Sequence, residues 1–173
     1  VNGRVHQISV SDGGVPKLPV PEARVTVVGV SGDRQRSLKF HGGPDRAVCL
    51  YSLEIIEALQ AEGHPVTSGC TGENLTLAGI PWADLQPGSR LSVGDAVQLE
   101  ITSYTVPCQY NARWFVDGHF KRISQKLHPG WSRLYARVLA EGIVRVGDRV
   151  VVEIKPREMC GTGETSERRQ NSK

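Results

Sequence analysis

WSRLYARVLAEG, residues 131–142, reads two ways, and the architecture depends on which reading holds. Trp131, Leu134, Tyr135, Val138 and Leu139 recur at helical spacing, whereas Leu134, Ala136 and Val138 line one face of a strand. Periodicity leaves both open, so the surroundings must be consulted. Short β-branched runs bounded by Gly, Pro, Asp and Ser occupy residues 5–10, 24–28, 47–51, 74–77, 96–102, 143–146 and 149–154. Such spacing favours a β-rich barrel or sandwich. Two similar turns, Val93-Gly94-Asp95 and Val146-Gly147-Asp148, each join a short apolar run to a longer strand, a common turn solution rather than a repeat. One helix is expected, residues 53–62: Ser52 caps it, Ile55, Ile56 and Leu59 form its apolar stripe, and Gly63 with Pro65 ends it.

The chain has 173 residues, the length of one ordinary domain, with 39% apolar and 23% charged residues. No apolar run approaches the roughly 18 residues of a membrane span. The start, VNGRVHQISV, lacks the pattern of a secretion signal, and a cytoplasmic, membrane-free protein is expected. Residues 1–154 are expected to form a single domain, and the polar stretch 155–173 to be a disordered tail. Cys49, Cys70, Cys108 and Cys160 form no CxxC pair, which points to reduced thiols. The net charge of +3 is too small to argue for nucleic acid, yet residues 109–137 hold six Lys or Arg (Arg113, Lys121, Arg122, Lys126, Arg133, Arg137) against Asp117 alone. That stretch either attracts an anion or is a solvated face.

Three stretches carry candidate chemistry. TVPCQY, residues 105–110, sets Cys108 after a rigid proline at the end of a strand, where a thiol is well placed to meet a cleft; a structural cysteine pointing into the core is the other reading. HGGPDR, residues 41–46, places two glycines between His41 and Arg46; this is either an anion cradle or an ordinary turn. SGCTGENL, residues 68–75, offers Glu73 and Asn74 in a loop before a strand, for a ligand or for closing the turn. Cys49 lies within an apolar strand and reads as core. The five histidines show no zinc spacing, and there is no GxGxxG, no P-loop and no GxSxG elbow.

Read in order, GVPK (14–17), GDRQ (32–35), HGGPDRAV (41–48), GENL (72–75), PC (107–108), YARVLAEG (135–142) and VRVGD (144–148) follow the succession seen in MOSC domains. The chain resembles this family, named for the C-terminal domain of molybdenum cofactor sulfurases, from about residue 14 to residue 152. It is most like the stand-alone bacterial members related to the hydroxylaminopurine-resistance protein. The resemblance implies a mainly β fold with a few helices (α+β), a closed MOSC-type barrel, and the strand reading of YARVLAEG. It further implies a molybdenum cofactor, with Cys108 as the metal ligand or as a carrier of sulfur. A thiolate is a soft, strongly donating ligand, and a basic field holds it deprotonated.

The anionic end of the pterin calls for cations and N–H groups. His41, Gly42, Gly43 and Arg46 are the first candidates, Lys17, Arg113 and Arg137 the second, and Asn74 a hydrogen-bonding partner of the pterin. The reaction implied is reduction of a small N-hydroxylated substrate, with electrons from a separate donor protein because no flavin or cluster motif is present. The competing expectation is a sulfur-carrier or cofactor-binding module without turnover. Pyridoxal phosphate binding stays open, and nucleic-acid binding ranks last.

Overall fold

The computed structural model describes residues 2–34 and 42–154. Eleven strands and one α-helix are present among them: β1 (Asn2–Val10), β2 (Leu18–Val20), β3 (Glu22–Thr26), β4 (Gly29–Val30), β5 (Val48–Ser52), α1 (Leu53–Ala61), β6 (Leu75–Ala78), β7 (Arg90–Val93), β8 (Val97–Tyr104), β9 (Leu134–Ala140), β10 (Gly142–Arg145) and β11 (Arg149–Glu153). Seven strands close a barrel in the order β1-β6-β5-β9-β8-β7-β11 and back to β1. Closure is possible because the free edge of β1 is divided: Asn2, Gly3 and Arg4 pair with β11, while Ile8, Ser9 and Val10 pair with β2. No edge of the ring is left to pair with another chain. A second sheet, β10-β3-β4, flanks the barrel.

All the ring pairings are antiparallel except β5 with β6. Parallel neighbours need a crossover, which α1 provides. Its start is capped as the sequence suggests: Ser52 Oγ accepts from the Ile55 N–H at 3.3 Å, and Gly63 at φ 94° follows its end. A strand covered on both sides buries every residue, as β5 and β6 do. Leu50, Leu75, Leu99, Leu134 and Ala136 face the barrel interior with no more than 1% exposure. The opposite face of β5 and β9, carrying Cys49, Tyr51, Arg133 and Tyr135, is therefore a second buried layer, outside the ring.

The ambiguous stretch is a strand: β9 pairs with β5 on one side and β8 on the other. Leu134, Ala136 and Val138 point inward, as the strand reading requires, and the aromatic residues that suggested a helix belong to the outer layer and the preceding loop. The seven expected runs appear as β1, β3, β5, β6, β8, β10 and β11, with Val27, Val28 and Val146 falling in turns. The two look-alike turns lie against each other, the Gly94 N–H donating to the Arg149 carbonyl at 2.9 Å. Residues 105–133 between β8 and β9 hold no strand, only 3-10 turns at Gln109–Trp114, Val116–Gly118 and Phe120–Ile123. His41, Cys160 and the expected tail lie outside the described residues.

Two predictions test this layering. Burial pushes the Cys70 thiol up to about 11 and the Tyr135 phenol up to about 12, and also raises Cys49. Above pH 9 the unfolded chain loses protons that the folded chain keeps, so stability is complete below pH 9 and declines as pH rises toward 11 and 12. The loss is at most about 3 kcal/mol each for Cys70 and Tyr135, read as a falling urea midpoint, and Cys70→Ala should flatten the first part of the decline. A midpoint constant from pH 8.5 to 11 would contradict the burial. Gly69 has φ 85°, and a Cβ there would stand 2.5 Å from the Lys17 carbonyl oxygen. Gly69→Ala is expected to lower unfolding free energy by about 2–3 kcal/mol in the same assay.

Candidate functional site

Two of the candidates, Arg46 and Cys108, come within electrostatic reach of the outer layer of β5 and β9. Cys49 and Tyr135 are directly paired across the two strands, and Arg133, two residues before Tyr135, shares its face. The Tyr135 phenol is raised first by burial and then by Cys49. Arg133 and Arg46 act on it in the opposite sense, and Cys108 adds to the rise. Two thiols and two guanidinium groups thus lie within electrostatic reach of one phenol, which keeps its proton across the physiological range. The Arg46 guanidinium carbon lies 5.7 Å from the Tyr135 ring centre, a cation–π contact.

Cys108 is half-buried, at the N-cap of the first 3-10 turn, with its carbonyl accepting from the Asn111 N–H at 2.9 Å. The thiol thus combines a fixed backbone with access to solvent, as expected of a reactive rather than a packing cysteine. Cys70 is 1% exposed, and its sulfur accepts from the Thr67 N–H at 3.2 Å, a structural role. Cys49 is buried as expected of a core thiol, but it borders the site: its N–H donates to Asn74 Oδ1 at 3.1 Å, and its carbonyl accepts from the Asn74 N–H at 2.7 Å.

The second-rank cations divide sharply. Lys17 is 9% exposed and bonded through Nζ to Asp33 Oδ2 at 2.5 Å. Asn74 Nδ2 donates to the same carboxylate oxygen at 2.9 Å and to the Ser9 carbonyl at 3.3 Å. Lys17, Asp33 and Asn74 therefore form one neutralised cluster that clamps the 67–74 loop to β1 and β5. Glu73, fully buried, works alongside: its carboxylate accepts from the Gly69 N–H at 2.7 Å and from Thr71 Oγ1 at 2.8 Å. Arg137 is exposed, with Nε 3.5 Å from Glu100 and 3.6 Å from Asp45, so it ties the turn Pro44–Arg46 to the barrel wall. Arg113 is exposed, lies 4.9 Å from the Trp114 ring centre and donates to the Val15 carbonyl.

Within HGGPDR, Gly43 has φ 96° and ψ 167°, and its carbonyl accepts from the Arg46 N–H at 3.0 Å. Among the described residues, a Cβ at Gly43 would meet nothing within 4 Å. Gly42 leads into the turn from the undescribed residues.

Arg133 was not among the sequence candidates except as one of six charges in a basic stretch. It is 5% exposed, one guanidinium nitrogen donates to the Thr71 carbonyl, and Nε, fully buried, has no acceptor. Its charge interacts with Glu73, with Thr71 between the two, and no described carboxylate lies within ion-pair distance. A buried guanidinium with an unmet donor is costly unless something anionic completes it. Only the pairing of β9 with β5 brings it here. Beside the cluster, a cavity of about 600 Å³ opens between α1 and residues 16–19, lined also by Cys70 and Trp114.

Comparison with known proteins accords with this architecture. The MOSC domain family profile matches residues 37–151. The chain is 32% identical over 136 residues to the uncharacterised protein YflK of Bacillus subtilis (strain 168), covering 78% of this chain and 60% of that protein. It is 30% identical over 100 residues to the protein YiiM of Escherichia coli (strain K12), covering 56% of this chain and 44% of that one. The chain thus spans less than two thirds of either relative. The crystal structure of YuaD from Bacillus subtilis superposes with a TM-score of 0.69 at 17% identity, covering 90% of this chain and 98% of that one. YiiM from Geobacillus stearothermophilus superposes with a TM-score of 0.67 at 26% identity, covering 87% and 75%. A shared barrel together with the profile match over most of the chain leads to one conclusion: this chain belongs to the MOSC domain family.

Proposed function

We propose that this chain binds the molybdenum cofactor and serves the reduction of N-hydroxylated compounds, R–NHOH + 2 H⁺ + 2 e⁻ giving R–NH₂ + H₂O, with the Cys108 thiolate as the protein ligand of the metal. Family membership makes this a molybdenum-cofactor-associated domain; the reaction and the ligand go further. The observation that carries the reading is Arg133: a guanidinium 5% exposed, with an orphaned Nε, just before β9 and within electrostatic reach of the Tyr135 phenol, which also feels Cys108. A pterin that bears a phosphate and a dithiolene would fit such a site, because its anionic end would meet a guanidinium whose Nε lacks an acceptor while its metal would take a soft thiolate.

When bound, the group supplies a metal that exchanges two electrons and accepts oxygen. The protein's own residues do the rest. Arg133 and Arg46 would hold the anionic end, with the turn at Gly43 leading up to Arg46. Tyr135, protonated up to about pH 12, offers a hydrogen-bond donor at the heart of the cluster. Asn74, Glu73 and Lys17 act indirectly, by fixing the 67–74 loop whose Thr71 carbonyl orients Arg133.

Two measurements test this reading. Protein made in a cofactor-competent host should carry about one molybdenum and one pterin per chain and, given a chemical reductant, should reduce a hydroxylamine; Cys108→Ser should abolish turnover. Turnover unaffected by Cys108→Ser would eliminate the proposed ligand, and a persulfide on Cys108 without metal would favour the sulfur carrier instead. Arg133→Gln, checked for an unchanged far-ultraviolet spectrum, should weaken pterin retention on gel filtration at least about tenfold, the loss of one charge-assisted anion contact. Full retention would remove Arg133 from the cofactor site.

A further inference from the structure

We propose that the β8–β9 connection carries the docking face for an acidic electron-donor protein, seated on the pocket between His119 and His128; the electron-transfer role rests on the redox reading above. The second and third of the 3-10 turns that follow Cys108 both pack on the first, so a partner seated on the last of them is close to the turn that Cys108 caps. The inner side of this connection is firmly held. Arg122 makes a two-pronged ion pair with Glu62 at 2.9 and 2.6 Å and lies 3.7 Å over the Trp131 ring. The Val116 N–H donates to His64 Nδ1 at 3.1 Å, and Asn111 Nδ2 donates to the Thr71 carbonyl at 3.2 Å. A segment without strands is thereby made into a preorganised surface.

The outer side has the composition of an interface. Leu127 is 57% and Val116 45% exposed, and Lys121, Lys126 and His119 are exposed around them. His119, Phe120, Lys121, Leu127 and His128 line a pocket of about 420 Å³, with no carboxylate in its wall. Residues 106–128 contain four Lys or Arg and one acid, Asp117. Because Glu62 neutralises Arg122 internally, Lys121 and Lys126 set the outward field, together with the two imidazoles when protonated. Apolar anchors within a basic rim fit an acidic protein surface, whose carboxylates steer the encounter and whose apolar centre covers Leu127.

The test uses the full chain with an acidic plant-type [2Fe–2S] ferredoxin as the probe, binding being followed by calorimetry. Binding should weaken at least about tenfold between about 20 mM and about 300 mM salt, as expected for charge-steered docking. The double variant Lys121→Glu/Lys126→Glu should lose at least about tenfold in affinity with an unchanged melting temperature, while Arg24→Glu, on the flanking sheet, should bind as the parent does. No binding by the parent at low salt, equal binding by the double variant, or an equal loss in Arg24→Glu overturns the proposal. So does tighter binding of a single-stranded oligonucleotide that the same double variant abolishes, which would make the face a nucleic-acid site. Turnover driven by a reduced viologen, which needs no docking, separates the two ideas. Its absence with docking intact sinks the reductase reading alone, and its presence with docking unchanged in the double variant sinks the docking face alone.

Discussion

The carbonyl oxygen of Thr71 accepts hydrogen bonds from Arg133 and from Asn111 Nδ2. This one acceptor joins the loop before β6, the long connection after Cys108 and the start of β9, segments up to 62 residues apart. Its position is not left to the loop itself. Glu73 holds Thr71 through its hydroxyl, Asn74 is bonded to both backbone groups of Cys49, and the Lys17–Asp33 pair closes the far side. Buried polar networks of this kind are unforgiving when partly satisfied, and here nearly every member is satisfied. The guanidinium Nε of Arg133 is an exception, and it sits in the cluster the functional reading depends on.

The constraint behind that network is the single parallel pairing in the ring. Because β5 and β6 run in the same direction, α1 must cross over the barrel, and the 67–74 loop must return to the level at which β5 begins. That return sets Asn74 against Cys49. The outer face of β5 is then covered, so polar side chains on it and on β9 are removed from water and must find partners. A barrel of antiparallel hairpins alone would have left this face to solvent. The candidate site is a consequence of covering it.

Much of this was legible in residue order. The capping Ser52 and the stripe Ile55, Ile56 and Leu59 announce α1, and the alternation in residues 97–101 announces β8, because these signals are local. Cys108 after Pro107 stood out for the same reason, since a proline at a strand end stiffens the backbone that holds the thiol. Two short strands, β2 and β4, escaped notice and β7 registered only as a short apolar run before a turn, each having too few residues to show a period. The basic stretch 109–137 looked like one field in sequence. Folded, it is divided among an ion pair at Arg122, bridges at Arg137, exposed lysines and a buried Arg133, because neighbours in sequence face different surroundings.

Residue order alone pointed to a β-rich fold of MOSC type with a capped helix at residues 53–62, since local pattern and motif succession do not depend on what lies across the fold. Whether a given charge is neutralised or left wanting was beyond it. Lys17 and Arg133 are both cations in unremarkable strings, yet one meets Asp33 at 2.5 Å and the other meets only a carbonyl. That difference arises from chain closure: it takes the pairing of β9 with β5 and the return of the 67–74 loop to decide which partners are within reach, and the strength of a charge's interactions falls steeply with distance and solvent.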